Sequence, residues 1–305
     1  MRRVLITGAS GANGGAILDR LLSRGWTVAA LLRDPAAAWR LAGRLDQAVV
    51  IRGDMDNLAA IQADIHRFAA DTVVHLAWDG VTSGSRNAPS QLRNLTGTLA
   101  LLELTAAAGA RHFIGFGSQA EYGRRTGPSG GDAPVLPETV YGAVKLSTGV
   151  IAERVAATLG VRFTWLRLFA SYGPRDNPGF LLPKLITSLL QGGRMAMTSG
   201  QQSWDYLYFE DVARAVLAVI ETGAAGTFDL GSGQPHRIGD IARMVRDLID
   251  PQLALGLGEM ADPDGPVVNL KADIAALSGA TGWQPQTGLD TGLMQTVKWY
   301  RDNAS

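Results

Sequence analysis

Short apolar runs alternate with longer helical patterns over the first 170 residues of this chain. The runs that predict strands are residues 3–8, 26–32, 48–54, 71–77, 112–118 and 162–169. Helical patterns stand out at residues 13–24, 92–108 and 141–159. Continuously apolar strands separated by helices are typical of a parallel sheet that helices cover on both faces. The sequence therefore predicts a doubly wound α/β fold.

The alternation of strand-like and helical segments becomes less regular after about residue 170, where Gly and Pro become frequent. Residues 173–183 predict a loop that leads into a helix, and residues 195–199 and 226–231 are strand-like. A chain of 305 residues suits one large α/β domain or two merged lobes. We expect residues 1–169 to form the main sheet domain. Residues 170–305 should form mainly a second, smaller lobe, with some segments returning to the sheet.

Composition and charge exclude several classes of function. The 28 Lys and Arg balance 28 Asp and Glu, so no basic field is available to bind a nucleic acid. The chain has no cysteine and four scattered histidines, which predicts neither disulfides nor a metal site. The apolar run after Arg2 and Arg3 is too short for a secretion signal, and no stretch reaches the roughly 18 residues of a membrane span. We expect a soluble cytoplasmic protein.

A glycine-rich turn follows the first predicted strand. In TGASGANGG (7–15), Gly8, Gly11 and Gly14 precede the first helix. Glycines at this point let the backbone approach a pyrophosphate, which the helix N-terminus attracts. The alternative is a tight turn that requires glycine for its own geometry. At the first turn of a doubly wound sheet, the pattern favours dinucleotide binding.

The end of the second predicted strand bears on the choice of cofactor. Enzymes that use NAD usually carry an acid there for the ribose 2′-hydroxyl, but Leu32 and Arg33 occupy this region. Arg33 could pair with a 2′-phosphate, which favours NADP(H) over NAD(H). Two alternatives stay open: Arg33 is an ordinary exposed cation, or Asp34 takes the acidic role. Asp54, after the third strand, suits either the adenine amino group or a turn cap.

A tyrosine and a lysine lie one helical turn apart in the segment TVYGAVK. Tyr141 and Lys145 share one helix face, and an ammonium nearby lowers the pKa of a phenol. The phenol could then exchange a proton with a substrate oxygen. Ser118, at the end of the fifth predicted strand, could hold that oxygen, because ligands of such sheets lie beyond the strand ends.

Motifs along nearly the whole chain now add up to a resemblance. They are TGASGANGG, GD at 53–54, HLA at 75–77, NLTGT at 94–98, Ser118 with YG at 122–123, YGAVK, LRLFASYGP (166–174), WDYLYFEDVA (204–213), FDLGSG (228–233) and GWQP (282–285). In this order and spacing the chain resembles an extended short-chain dehydrogenase/reductase of the nucleotide-sugar epimerase, dehydratase and ketoreductase group.

The resemblance implies roles for the two lobes and for particular residues. Residues 1–169 would be the NAD(P)-binding Rossmann domain, and residues 170–305 mainly the substrate-binding lobe, with some segments returning to the Rossmann sheet. Ser118, Tyr141 and Lys145 would form the catalytic triad, and Lys145 would also hold the nicotinamide ribose. Asn94 would support the active site, and His75 would border the cofactor. The implied cofactor-binding set is Gly8, Ser10, Gly11, Ala12, Asn13, Gly14, Arg33, Asp54, Met55, Leu76, Ala77, Tyr141, Lys145 and Phe169.

Departures from the family pattern narrow the predicted chemistry. Dehydratases of the group carry an acidic pair directly after the catalytic Ser or Thr, but here Gln119 and Ala120 follow, and Glu121 comes one place too late. The absence of cysteine disfavours epimerase-reductases that use Cys and His. The usual Asn and Arg contacts of 4-epimerases are replaced by Ala170 and Trp204.

Net hydride transfer with exchangeable NADPH remains the favoured function. We predict NADP(H)-dependent reduction of a nucleotide-linked 4-keto-6-deoxy-hexose, with Tyr141 as general acid. The candidate substrate contacts are Trp78, Asp79, Ser118, Gln119, Tyr141, Arg175, Asn177, Trp204 and Arg237. The alternatives are a 4-epimerase with tightly bound NAD, a reductase of a non-sugar carbonyl and, more remotely, a non-catalytic dinucleotide sensor.

The resemblance also implies a partner. In relatives, the helices that match residues 92–108 and 141–159 pair across a two-fold axis into a four-helix bundle. We therefore expect a homodimer. The alternative is that these helices pack only on their own sheet.

Overall fold

The computed structural model describes residues 2–124, 133–263, 265 and 267–303. Its strands are β1 (Arg3–Thr7), β2 (Thr27–Leu32), β3 (Val49–Arg52), β4 (Thr72–His75), β5 (His112–Ser118), β6 (Arg162–Leu168), β7 (Ala170–Tyr172), β8 (Ala196–Met197), β9 (Ser203–Tyr208), β10 (Gly226–Leu230), β11 (Pro235–Arg237) and β12 (Gly256–Leu257). Its helices are α1 (Ala12–Ser23), α2 (Gln62–Phe68), α3 (Leu92–Ala107), α4 (Val140–Thr158), α5 (Leu181–Leu190), α6 (Phe209–Thr222), α7 (Ile238–Ile249), α8 (Ala275–Thr281) and α9 (Leu289–Asp302).

A seven-stranded parallel sheet forms the centre of the molecule. Its strand order is β10-β6-β5-β4-β1-β2-β3, and every neighbouring pair runs parallel. The order turns back on itself at β1, which is adjacent to both β2 and β4. The predicted doubly wound sheet is therefore confirmed, and its ligand-binding edge is expected at the carboxyl ends of β1 and β4.

Both faces of this sheet are buried, as the apolar strands predict. Successive residues of a strand point to opposite faces, so Val73 packs in one apolar cluster and Val74 in the other. Helices α1 and α6 pack together on the face of Val74, and α2, α3 and α4 cover the face of Val73. The exception is the edge strand β3, where Val49 and Val50 are exposed.

The second lobe has its own smaller sheets and core. Strand β9 pairs antiparallel with β11 and parallel with β7, while β8 and β12 form a separate parallel pair. Helices α5, α7 and α9 enclose an apolar core with Leu185, Ile241 and Leu293 at its centre. Between β9 and β11, the chain returns to the main sheet through α6 and β10.

Most predicted element bounds agree with the structure within a few residues, and β5 has the bounds that the sequence indicates. The predicted loop at 173–183 is too long, because α5 begins at Leu181. Pro183 stands in the first turn of that helix, where the missing N–H has no intrahelical partner to lose. No helix in the described part of the chain is both long and apolar enough to cross a bilayer.

Candidate active site

A cleft of about 980 Å³ opens at the carboxyl ends of the central strands. It extends from the glycine turn after β1 to the second lobe, where Trp204 and Asn177 line it. All the predicted cofactor-binding residues line this cleft except Lys145, which lies buried beneath its wall. Of the predicted substrate contacts, Arg175 and Arg237 do not line it. The sequence-predicted site thus converges on one cleft from both lobes.

The glycine turn is shaped by two close backbone approaches. Gly8 has a φ of +73°, and a Cβ on Gly14 would overlap the carbonyl oxygen of Gly8. Gly11 is different, because a Cβ there would meet only the Gly8 carbonyl oxygen, at 3.3 Å. Gly8 and Gly14 therefore serve the fold of the turn, whereas Gly11 leaves its surface open to a ligand.

Asn13, in the first turn of α1, lines the same cleft and has an unsatisfied acceptor. Its Nδ2 donates to Ser171 Oγ on β7 at 3.0 Å, which ties the glycine turn to the second lobe. Its Oδ1 is buried and has no hydrogen-bond partner among the described residues. Buried acceptors are rarely left unpaired in folded proteins. An open glycine turn with an unpaired acceptor beside it fits a bound dinucleotide.

Arg33, the residue after β2, forms a long ion pair with Asp79. Arg33 Nη2 lies 3.7 Å from Asp79 Oδ1, and the two side chains are 67% and 71% exposed. Such an exposed pair is weak and opens readily. Arg33 can therefore turn toward a phosphate, but Asp79 offsets part of its charge. Asp54 caps the turn after β3, where its Oδ1 accepts from Asp56 N at 3.1 Å; contact with an adenine stays a prediction.

Ser118 ends β5 in a turn that its own side chain helps to build. Ala120 N donates to Ser118 Oγ at 3.2 Å, and Ser118 N donates to Glu121 Oε1 at 2.9 Å. These reciprocal bonds form a capping box. Ser118 Oγ also donates to Gln119 Oε1 at 2.8 Å. The hydroxyl is therefore held at the strand end, where it lines the cleft.

Tyr141 and Lys145 lie on α4 beside Ser118. The Tyr141 phenol hydrogen-bonds with Ser118. Lys145 Nζ donates to the carbonyl oxygen of Phe116 on β5 at 2.6 Å and lies 3.5 Å from the ring centroid of Trp78. The three predicted triad residues are thus brought together, with Trp78 covering the ammonium group.

Burial dominates the protonation of this group of side chains. It lowers the pKa of Lys145 to about 7, an effect that Glu121 opposes. Burial raises the pKa of Tyr141, while the hydrogen bond with Ser118 and the charge of Arg86 act to lower it. The expectation that Lys145 lowers the Tyr141 pKa is not met. Lys145 Nζ is 5.9 Å from the phenol ring centroid and donates to Phe116 instead, so burial outweighs the charges.

The substrate half of the cleft contains residues that serve the fold as well. Trp204 stacks on Tyr206, with ring centroids 6.2 Å apart. Arg175 has a φ of +61°, donates to the carbonyl oxygen of Arg40 at 3.0 Å and does not line the cleft. Arg237 is exposed at the end of β11. Roles for Arg175 and Arg237 in substrate binding stay predictions.

Several residues of the site were missed by the sequence reasoning. Arg40 donates to the carbonyl oxygens of Ser10, Arg175 and Asp176, so it joins the glycine turn to the second lobe. No local pattern signals that contact. Gln91 accepts from Trp78 Nε1 at 2.9 Å and fixes the indole. Among the described residues, no group of three or more acidic or histidine side chains could hold a metal ion.

Asn94 and His75 support the site from the sheet and from α3. Asn94 Oδ1 accepts from Asp79 N at 2.9 Å, and its Nδ2 donates to Asp79 O at 3.1 Å. His75 is bound by Thr7 and Thr98 hydroxyls, and burial lowers its pKa to about 3. Both residues shape the loop and strand end that border the cleft.

Residues 4–231 match the NAD dependent epimerase/dehydratase family. The chain belongs to this family. The dTDP-glucose 4,6-dehydratase of Neisseria meningitidis is 26% identical over 99% of this chain and 94% of its own length. The UDP-glucuronate 4-epimerase of Thermodesulfobacterium geofontis is 25% identical over 98% of this chain and 96% of its own length.

Solved structures show the same fold. The UDP-glucose 4-epimerase of Thermotoga maritima, solved with UDP-glucose, superposes with a TM-score of 0.90 and 23% identity, covering 99% of this chain and 100% of that one. Other structures of this fold contain NAD. The extended short-chain dehydrogenase/reductase assignment is confirmed, and with it an enzyme of the epimerase, dehydratase and oxidoreductase type that uses an NAD(P) nucleotide.

Proposed function

We propose that this enzyme reduces the keto group of a nucleotide-linked 4-keto-6-deoxy-hexose with NADP(H). The observation that carries the proposal is the grouping of Ser118, Tyr141 and Lys145 at the cleft with no acidic pair beside them. A nucleotide-sugar substrate is supported by relatives that act on dTDP-glucose and UDP-glucuronate. These relatives match the chain over nearly its whole length.

In this proposal Ser118 and Tyr141 hold the ketone oxygen by hydrogen bonds. The bound cofactor would supply the hydride. Tyr141 then gives its proton to the oxygen as charge develops there. Burial raises the Tyr141 pKa, which keeps the phenol protonated. A protonated phenol suits the reductive direction, because the acid must arrive at the reaction with its proton.

The turn after Ser118 argues against dehydration. Water elimination in the group needs acids directly after the catalytic hydroxyl residue, where Gln119 and Ala120 stand. The only acid in this turn is Glu121, and it is fully buried. Its carboxylate accepts from Trp165 Nε1 at 3.0 Å and from Arg167 Nε at 2.7 Å. A carboxylate bound in this way is not available to a substrate in the cleft.

A 4-epimerase is the second candidate, and the relatives support it at least as well as a 4-ketoreductase. UDP-glucuronate 4-epimerases match the chain as well as dehydratases do. Asp79 beside Arg33 also weakens the case for a 2′-phosphate. Against it stand Ala170 and Trp204, at positions where 4-epimerases usually carry Asn and Arg. A non-sugar carbonyl substrate and a dinucleotide sensor are lesser alternatives.

The first experiment is a fluorescence titration with NADPH and NADH, in the wild type and in Arg33→Ala. We expect NADPH to bind about tenfold more tightly, roughly 1.4 kcal/mol, and Arg33→Ala to remove the difference. Asp79→Asn is the matched variant and should strengthen NADPH binding. Equal or tighter NADH binding, or NAD retained through purification, would move the epimerase to first place.

Turnover on a panel of nucleotide-linked sugars then separates the chemistries. A reductase oxidises one NADPH for each 4-keto-6-deoxy-hexose consumed. An epimerase interconverts two C4 isomers with no net change in cofactor, and a dehydratase releases water from a 4-hydroxy-hexose. A panel that gives only the second or third result excludes the proposed reduction.

We also propose a homodimer formed through α3 and α4. Leu92 on α3 and Val150 on α4 are 57% and 54% exposed, and Ile151 beside it is 39% exposed. Large apolar side chains exposed on two neighbouring helices suit an interface. We expect Val150→Glu to give a monomer in analytical ultracentrifugation, whereas Leu248→Glu, at an exposed site on α7, should leave the mass unchanged. A wild-type monomer contradicts the proposal.

A further inference from the structure

A fully buried carboxylate lies directly behind the candidate catalytic turn. Glu121 has no exposed surface and ends the turn that begins at Ser118. Its Oε1 accepts from the backbone N–H of Ser118 at 2.9 Å and from Trp165 Nε1 at 3.0 Å. A charge buried this deeply is costly unless it is well compensated. The interactions of this carboxylate must therefore offset the cost of its burial.

The packing around Glu121 leaves it little freedom. Trp165 lies against Gly115, Gly117 and Gly149, where any Cβ would overlap the indole. A Cβ on Gly117 would overlap Glu121 Oε1 as well. The β5 strand and α4 therefore both lack side chains where the indole and the carboxylate meet. The position of the charge is fixed by shape as well as by hydrogen bonds.

A chain of hydrogen bonds continues from Glu121 to the edge of the sheet. Arg167 Nε donates to Glu121 Oε2 at 2.7 Å, and Arg167 Nη1 donates to the Tyr122 hydroxyl at 3.1 Å. Tyr122 in turn donates to Asp229 Oδ1 on β10 at 2.8 Å. The carboxylate is thus held from the side away from the cleft.

Lys145 is the buried cation on the other side. Its exposed fraction is 4%, and among the described residues it forms no ion pair within 4.0 Å. It has one carbonyl acceptor, Phe116, and lies over the ring of Trp78 and 5.8 Å from the ring centroid of Trp165. The Trp165 indole therefore contacts Glu121 with its N–H and faces Lys145 with its ring.

The other titratable and charged groups around Lys145 do not supply a negative charge. Tyr141 on the same helix is a phenol, and His75 on β4 is a base whose pKa the charge of Lys145 lowers further. Arg86 lies over the Tyr141 ring at 5.2 Å, and Arg167 is bonded to Glu121. Glu121 is the group whose charge opposes the effect of burial on Lys145.

We propose that Glu121 is a positioning residue of the Ser118, Tyr141 and Lys145 group. Its carboxylate anchors the backbone of Ser118 and supplies the negative charge that faces the buried ammonium of Lys145. The importance of that ammonium rests on the proposed function, but the bond to Ser118 and the charge effect on Lys145 do not. Glu121 does not line the cleft, so it acts through Ser118 and Lys145.

Lysine NMR tests the proposal without any substrate. The chain contains only four lysines, Lys145, Lys184, Lys271 and Lys298, so ¹³C-lysine labelling gives few signals, and Lys145→Arg assigns the one in question. We expect Lys145 to titrate near pH 7 in the wild type and at least about one pH unit lower in Glu121→Gln. The amide oxygen can keep the acceptor for Ser118, while the charge and the acceptor for Arg167 Nε are removed.

Asp211→Asn is the matched control. Asp211 is also fully buried, accepts from the backbone of Gln286 and Thr287 and pairs with an arginine, but it lies outside the cleft. It should leave the Lys145 titration unchanged. A Lys145 titration that is the same in Glu121→Gln and the wild type overturns the proposal, as does an equal shift in Asp211→Asn.

A second variant keeps the test decisive if Glu121→Gln does not fold. Glu121→Gln combined with Arg167→Gln removes the carboxylate and its partner cation together, so no unpaired charge is left behind. The same downward shift is expected, because Arg167 is not among the groups that act on Lys145. If the shift is seen but no keto-sugar is reduced, the role of Glu121 stands and the proposed function fails.

Discussion

The cofactor half and the substrate half of the cleft are built from different materials. The cofactor half consists of strand ends and a glycine turn, so its surface is mostly backbone and small side chains. The substrate half consists of side chains from the loop before α5 and from β9, such as Asn177 and Trp204. Backbone surfaces are specified by the fold, whereas side-chain surfaces can change without altering it. The chemistry is therefore easier to infer than the substrate.

The largest effect is expected for a substitution of Tyr141, which lies where the cofactor half and the substrate half of the cleft meet. Tyr141→Phe removes the proton donor but keeps the ring against Trp78, so turnover should fall by about 10²–10⁴-fold. Cofactor affinity should change little, because the glycine turn and the strand ends that form most of the cofactor half are unchanged. Steady-state kinetics and a cofactor titration check the two parts. Wild-type turnover in the variant would contradict the role of Tyr141 as proton donor, whereas a dinucleotide sensor would show no turnover in either protein.

Gly14→Ala should disrupt the glycine turn of the cofactor half and leave the substrate half unchanged. The added methyl overlaps the Gly8 carbonyl oxygen, so the turn must open, at a cost of about 1–3 kcal/mol in unfolding free energy. Cofactor binding should weaken with it. Gly279→Ala is the control, since nothing lies within 4 Å of a Cβ there. Equal stability of the two variants in denaturant unfolding would contradict the close approach.

Lowering the pH should destabilise the protein through His75, which lies in the cofactor half of the cleft. Burial lowers the folded-state pKa of His75 from 6.5 to about 3, so below pH 6.5 the unfolded chain binds a proton that the folded chain does not. Stability should therefore fall as the pH drops from about 6.5 toward 3, by at most roughly 3–5 kcal/mol from this group. In His75→Asn this loss should be smaller. Denaturant melts at several pH values measure the difference, and parallel curves would refute it.

Arg40 tests how tightly the two halves are joined. Arg40→Met removes three hydrogen bonds to carbonyl oxygens that link the glycine turn with the loop before α5. We expect a loss of about 1–2 kcal/mol in unfolding free energy and weaker cofactor binding. Arg44→Met is the matched control, because Arg44 forms only a half-exposed pair with Asp19. Indistinguishable variants would mean that the link contributes nothing.

The smallest effect is expected at Arg237. The residue is exposed and does not line the cleft, so Arg237→Ala should change the substrate KM by no more than about twofold. A much larger increase would restore the sequence-based prediction that it grips a diphosphate. It would also mean that the lobes close further when substrate binds. Kinetics with the substrate found in the sugar panel gives the answer.

The same division explains how far the sequence predicts the molecule. The main sheet, the glycine turn and Ser118 at its strand end follow from local patterns. Hydrophobic periodicity and glycine motifs can be recognised within short stretches of sequence. The buried network of Glu121, Trp165 and Arg167 joins three segments, so no single stretch reveals it. The S-x-x-E pattern at 118–121 did carry a signal, since it is the pattern of a capping box.

The pKa of Tyr141 could not be read from the sequence for a related reason. The spacing of Tyr141 and Lys145 predicts that they share a helix face, which the structure bears out. It does not predict how deeply the pair is buried or that Lys145 turns to Phe116. Burial depends on the packing of α4 against β5, and that packing depends on residues far apart in the chain.

The return of the chain to the main sheet through β10 limits how the protein can be divided. Strand β10 forms the outer edge beside β6, and α6 buries Val212, Val216 and Val219 against the face that α1 covers. A fragment cut after residue 169 would lose both, which leaves β6 with an unpaired edge and an apolar face in water. Such edges pair with other chains. Expressed alone, the first 169 residues should aggregate, so the two lobes are better exchanged between relatives as 1–169 with 209–231 than as halves.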